Sequence, residues 1–284
     1  SSFVLKNVEG QENIPTTGGF LFAANHINHF DPAALFAASY PRTRREIHFL
    51  SSAAAKTNNF DYQAAFFMQR LEWACFDWRF KMRGDKTPHP DVAIVAIDEK
   101  SLKELRAWPW PRRIHARLID KLSARPPKAL AFDVLFLEPF TADPEGDKML
   151  VRATRANHWV VHSYFFQNEG EEIVQVQLPF SSLLDVVDRA GYVNAFIDDD
   201  GVLRSARGKV AVQGQEIALL SVEAASLYLG KDPSELMNIV PQDSKGRMVL
   251  NFVGKGYSFP YIPYADILSG KYPAKDLAGK VLLH

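Results

Sequence analysis

Only one cysteine, Cys75, occurs in 284 residues. That scarcity excludes an intramolecular disulfide framework and a cysteine-based zinc cluster, and it leaves a small apolar thiol expected to be buried on a helix. Long uncharged apolar runs are also missing. The nearest, FLFAANHINHF and YQAAFFMQRLEWACF, are broken by Asn, His, Arg and Glu. No window therefore suits a membrane span, and the N-terminus lacks the basic-then-apolar layout of a signal peptide. Neither sign of charge dominates. Lys+Arg and Asp+Glu stand at 33 each, and with no basic stripe the electrostatic case for nucleic-acid binding falls.

What is present suits a folded chain. Apolar residues make up 47% and charged residues 23%, enough for a sizeable core in one large domain plus a smaller unit. Residues 1–50 hold FVLKNVEG, a Pro/Thr/Gly turn, the apolar FLFAAN and a helix start at Asp31-Pro32. The small, polar run SSAAAKTNN at 51–59 reads as a junction, dividing the chain into 1–55 and 56–284. Over 61–83, Phe66, Phe67, Leu71, Ala74, Cys75, Trp78 and Met82 recur at helical spacing among charged residues. This predicts an amphipathic helix that ends at Gly84 and packs against the sheet that follows.

From there strands and helices alternate. The unbroken apolar runs at 92–97 and 129–136 predict strands buried on both faces, with a third at 158–166. Helices are expected over 112–124, with Ile114, Leu118, Ile119 and Leu122 inward, and over 148–156. The fold class is α/β: a central, mainly parallel sheet with flanking helices, successive strands as neighbours, and antiparallel hairpins in the C-terminal half. One hairpin is expected around Asp198-Asp199-Asp200-Gly201 and another around Asp243-Ser244-Lys245-Gly246, the latter leading to a strand at 248–253. Helices over 217–229, closed by Gly230, and over 264–269 precede a last strand starting near Val281.

Chemistry-bearing residues gather around the first two strands. Asp98 and Glu99 follow the first and Asp133 lies near the end of the second, on the edge where open α/β sheets bind ligands. Paired carboxylates there suit an ion or a small polar ligand; the alternative is that each caps a turn or pairs with Arg112 or Arg113. Between the strands runs Trp108-Pro109-Trp110-Pro111-Arg112. Its prolines stiffen the turn, which offers indole walls to a ligand or forms a structural wedge aiming Arg112 at the sheet's carboxylates. His115 and His162 read as lone, satisfied structural histidines, Asp198 to Asp200 as a hairpin turn, and Gly254 and Gly256 as hairpin or bulge glycines. No Ser-His-Asp set, nucleotide fingerprint or closed metal set stands out after residue 55, so neither catalysis nor a cofactor nor a metal is expected there.

The words LEWACFDWRFKMRG, VAIVAIDEKSL, WPWPR, KALAFDVLFLEP, GYVNAFIDDDGVLR, ALLSVEAASLYLG, MVLNFVGKGYSFPYIPYADILSGKYP and LAGKVLL, in this order, resemble the type-two CHASE domain of bacterial receptors. The resemblance implies an extracytoplasmic, non-catalytic sensory module between membrane helices, with a cytoplasmic nucleotide cyclase or kinase as output. Its ligand is an unknown small molecule or ion, and a homodimer or assembly role through the aromatic helix is the competing use. The chain ends near the point where that family's next membrane helix begins. Residues 1–50 are similar instead to the start of lysophosphatidate-type glycerolipid acyltransferases. Asn25-His26 and Asp31 stand as N-H-x-x-x-x-D, in which His would act as general base and Asp would orient it. That family's phosphate-binding motif has only a look-alike here, Asp143-Pro144-Glu145-Gly146-Asp147, lacking its Thr and Arg. The resemblance therefore implies a truncated fragment joined to the sensor.

Overall fold

A computed structural model describes residues 59–284, apart from 107, 170, 171, 213 and 244. His26 and Asp31 lie outside the described residues. The chain divides into two units, 1–84 and 85–284.

Of the first unit the structure describes α1 (Asn59–Arg83), closed by Gly84 at φ +73° with its N–H on Phe80 O. Cys75 is exposed, contrary to the expectation of burial. The reason lies in the spacing. Trp73, Phe76 and Phe80 share one half-covered face, whereas Met68, Leu71, Cys75, Trp78 and Met82 recur by threes and fours on the opposite one. Trp78 and Met82 are 61% and 66% exposed.

The second unit is built on one mixed sheet. Its spine comprises β1 (Val92–Ala96), β2 (Ala129–Ala131), β3 (Val160–Glu169), β4 (Glu172–Gln177), β10 (Tyr261–Pro263) and β11 (Val281–Leu283) in the order β10-β1-β11-β2-β3-β4, with β5 (Ala190–Tyr192) on β3. All pairings are parallel except β3 with β4. The α/β class holds. Successive strands β1 and β2 are not neighbours, however, because the last strand inserts between them, pairing Ala93 with Leu282 and Leu282 with Leu130.

Helices α2 (Glu99–Leu105), α3 (Arg112–Ser123) and α4 (Pro144–Arg155) follow β1 and β2. The main core joins α3 and α4 to the sheet through Leu118, Ile119, Leu122, Leu150, Leu130, Phe132 and Leu282, each at most 1% exposed. A smaller cluster of Ala129, Ala131, Val161, Leu220 and Ala224 seats α6 (Leu220–Leu229), which ends at Gly230, φ +64°. Between them come α5 (Ser181–Leu184), then β6 (Ser205–Arg207), β7 (Lys209–Val212) and β8 (Gln215–Ala218). The helix expected from residue 217 thus begins three residues later, because Ile217 and Ala218 pair in β8.

Both expected hairpin turns form, but their strands pair elsewhere. Gly201 N–H reaches Asp198 O at 2.8 Å and Gly246 N–H reaches Asp243 O at 3.0 Å. Yet β5 goes to β3, while β6 pairs with β9 (Arg247–Val249). The hairpin that does close is β7 with β8, around Gly214 at φ +81°. Gly254 and Gly256 lie in the loop before β10, neither in a hairpin nor in a bulge. The remaining elements are α7 (Pro233–Ile239) and α8 (Tyr264–Ser269).

Candidate functional site

Four parallel strands, β10, β1, β11 and β2, present their carboxyl ends on one edge. Asp98 follows β1 there, and its carboxylate accepts the Ser101 N–H at 2.8 Å as N-cap of α2. That makes it a cap, satisfying one of the helix's free amides. Ser101 in turn takes the Ala265 N–H on its hydroxyl, tying α2 to α8, and Lys100 reaches Asp266 across the same join. Glu99 is exposed.

Asp133 is placed differently. Its backbone N–H bonds His284 O, knitting the ends of β2 and β11, while its side chain faces solvent. Among the described residues no hydrogen bond or ion pair holds its carboxylate. Enough protein crowds it on the inner side that desolvation raises its pKa. Asp133 thus offers a free carboxylate at this edge.

The Trp-Pro turn splits its two indoles. Trp110 is 0% exposed, donates its indole N–H to Arg106 O at 3.1 Å and packs on Tyr264 with centroids 4.8 Å apart. Trp108, across a cis peptide from Pro109, is 42% exposed and meets Trp110 edge-on at 5.2 Å. Arg112 does not aim at Asp98 or Asp133, as the wedge reading held. Its guanidinium lies 5.0 Å above Phe136 and 5.5 Å from Phe140, with Asp147 at 3.9 Å. A planar, weakly hydrated cation stacks on aromatic faces readily, and burial among them lowers its pKa.

Asp143 to Asp147, the phosphate-motif look-alike, is the start of α4. The Asp143 carboxylate accepts the Gly146 N–H at 3.1 Å and both arms of Arg113, which hold its pKa down. With those bonds made, it cradles no phosphate. Asp198 and Asp200 clamp Arg204, itself 7% exposed, at 2.8 to 3.1 Å. The acidic turn is thus the partner of a buried arginine.

His115 and His162 are not solitary. With His284 they form a buried cluster, 1%, 0% and 8% exposed. His162 Nε2 meets Thr154 Oγ1 at 3.0 Å, His284 Nδ1 faces Val95 O at 3.0 Å, and His115 Nδ1 lies 3.3 Å from Tyr264 Oη. His162 Nδ1 and His284 Nε2 have no partner. Desolvation drives all three pKa values down, to about 3 for His162 and about 4 for His284, with neighbouring cationic groups adding to the effect on His115. Sequence reading missed this grouping because strand register aligns His162 with His284 and the packing of α3 on the sheet adds His115.

A family model described as CHASE2 domain matches residues 53–283, and one described as Acyltransferase matches residues 6–86. The two overlap across α1. No curated protein and no solved structure matches.

Proposed function

The chain belongs to the CHASE2 family of extracytoplasmic sensory domains, and on that premise we propose that it is the signal-input domain of a bacterial transmembrane receptor. Flanking membrane helices hold it on the outer face of the inner membrane, and a cytoplasmic nucleotide cyclase or kinase reads its state. The observation that carries a site is Asp133, a free carboxylate bonded through its backbone to the end of β11. A small polar ligand or ion held there, with Glu99 and Trp108 at the rim, alters how β11 is seated. Such a ligand transmits only by favouring one of two arrangements of the domain. Asp98, Trp110 and Arg112 shape the edge, as cap, core and aromatic-stacked cation.

Exposed Cys75 supplies the test. In the parent protein, with any other cysteines replaced, a membrane-impermeant maleimide is expected to label Cys75 in intact cells. Labelling only after permeabilisation would place the domain in the cytoplasm and end the sensor reading.

A second reading, self-association, is favoured by the α1 face of Met68, Leu71, Cys75, Trp78 and Met82, whose three-four spacing is that of a helix seam. Sedimentation should then show a dimer that Trp78→Glu disperses; a monomer at all concentrations rules it out. For residues 6–86, transfer of an acyl group from a thioester to a glycerophosphate, lost in His26→Ala, would replace the non-catalytic reading.

A further inference from the structure

We infer that this domain also reads acidification, beside any ligand at Asp133, and that three buried imidazoles, His284 and His162 flanking Phe132 with His115 above them, are its proton detector; this rests on the sensor reading. Strand register builds the group. Leu283 pairs with Ala131 and Ala131 with Val161, so the next residues, His284, Phe132 and His162, fall level on three adjacent parallel strands and share a face. Phe132 stacks on His162 at 5.5 Å and meets His284 edge-on at 5.2 Å, while His115 of α3 lies 5.5 Å from His284.

The cage offers a proton somewhere to go and no acidic side chain to balance it, although in the 284-residue chain His284 also carries the terminal carboxylate. His162 Nδ1 and His284 Nε2 have no partner among the described residues; because His284 Nδ1 donates to Val95 O, its Nε2 is an open acceptor, and among the described residues no carboxylate side chain bonds any of the three rings. From α3 the cluster faces Arg112, and Arg117 acts on the neighbouring Tyr264; from α8 it faces the neutral Tyr264 phenol, and from α4 the Thr154 hydroxyl. Asp147 is turned to Arg112 and the Phe140 amide, and Asp133 lies outside at the edge. The Arg189 carbonyl already holds the His162 backbone N–H. A protonated ring is therefore a buried cation beside another cation, a cost relieved when water reaches it, which for His284 means opening the end of β11. Because β11 lies between β1 and β2, that opening changes the centre of the sheet.

Each pH unit below about 6.5 shifts the balance toward the open form by up to about tenfold per histidine. The test titrates the 284-residue chain from neutral to acid pH, following near- and far-ultraviolet circular dichroism together. The expected result is a reversible near-ultraviolet change with unaltered far-ultraviolet signal, taking up two or more protons. His162→Asn and, independently, His115→Gln should each lower that uptake by about one proton and move the midpoint to lower pH. A near-ultraviolet signal that stays flat until the far-ultraviolet signal collapses overturns the inference, as does unchanged proton uptake in whichever variant folds. A flat titration leaves the sensor reading standing with another stimulus, whereas cytoplasmic Cys75 would remove the sensor and leave the titration untouched.

Discussion

Trp108 and Trp110 sit two positions apart in one stiff turn, yet only Trp110 is in the core, wedged against Tyr264 and His115. Trp110→Ala should cost about 3–5 kcal/mol in denaturant unfolding, because a large cavity opens beneath α3. Trp108→Ala, with its ring 42% exposed, should cost less than about 1 kcal/mol and leave any stability change near the noise. The histidines give a second prediction at this scale. Their folded pKa values are lowered, so the unfolded chain binds more protons in acid. Stability is therefore complete above about pH 6.5 and falls as pH drops toward 4, by up to about 1.4 kcal/mol per pH unit for each histidine. Urea midpoints measured across that range should decline and then decline less steeply when His162 is replaced.

Among the elements, the short strand β5 shows how closely the layers approach. A Cβ on Gly191 would stand 2.5 Å from Leu220 Cα, at the start of α6. Backbone cannot move aside as a side-chain tip can, so Gly191→Ala should destabilise by about 1–3 kcal/mol in thermal or chemical unfolding. Gly214→Ala has open space around it and should show only the strain of its φ of +81°. Much of the element pattern was legible in the sequence. The continuous apolar runs located β1 and β2, although β2 stops at Ala131 and not at 136, and β1 buries alternate residues and not both faces; the threes and fours of 112–122 marked α3, and Gly84, Gly230 and the two Asp turns fell where local chemistry put them. Strand partnership was not legible, because turn residues specify a reversal and say nothing about which strand each arm meets. Hence β6 found β9, and β11 took the place expected for β2. The candidate edge was readable through Asp98 and Asp133, whereas the histidine row depends on a register that no local pattern encodes.

At the scale of the whole molecule, the edge and the core meet in β11. It is flanked by β1 and β2, its end bonds the backbone of free Asp133, and it carries His284 into the aromatic cage. On the proposed reading, a stimulus at the edge acts by changing how β11 is seated. The direct measurement is amide hydrogen exchange over Val281–Leu283, corrected for intrinsic rates, at pH 7.5 and in mild acid. The expected result is strong protection at neutral pH, lost in acid at β11 while α6 keeps its own. Equal protection of β11 at both pH values, or loss spread evenly over every element, would contradict it.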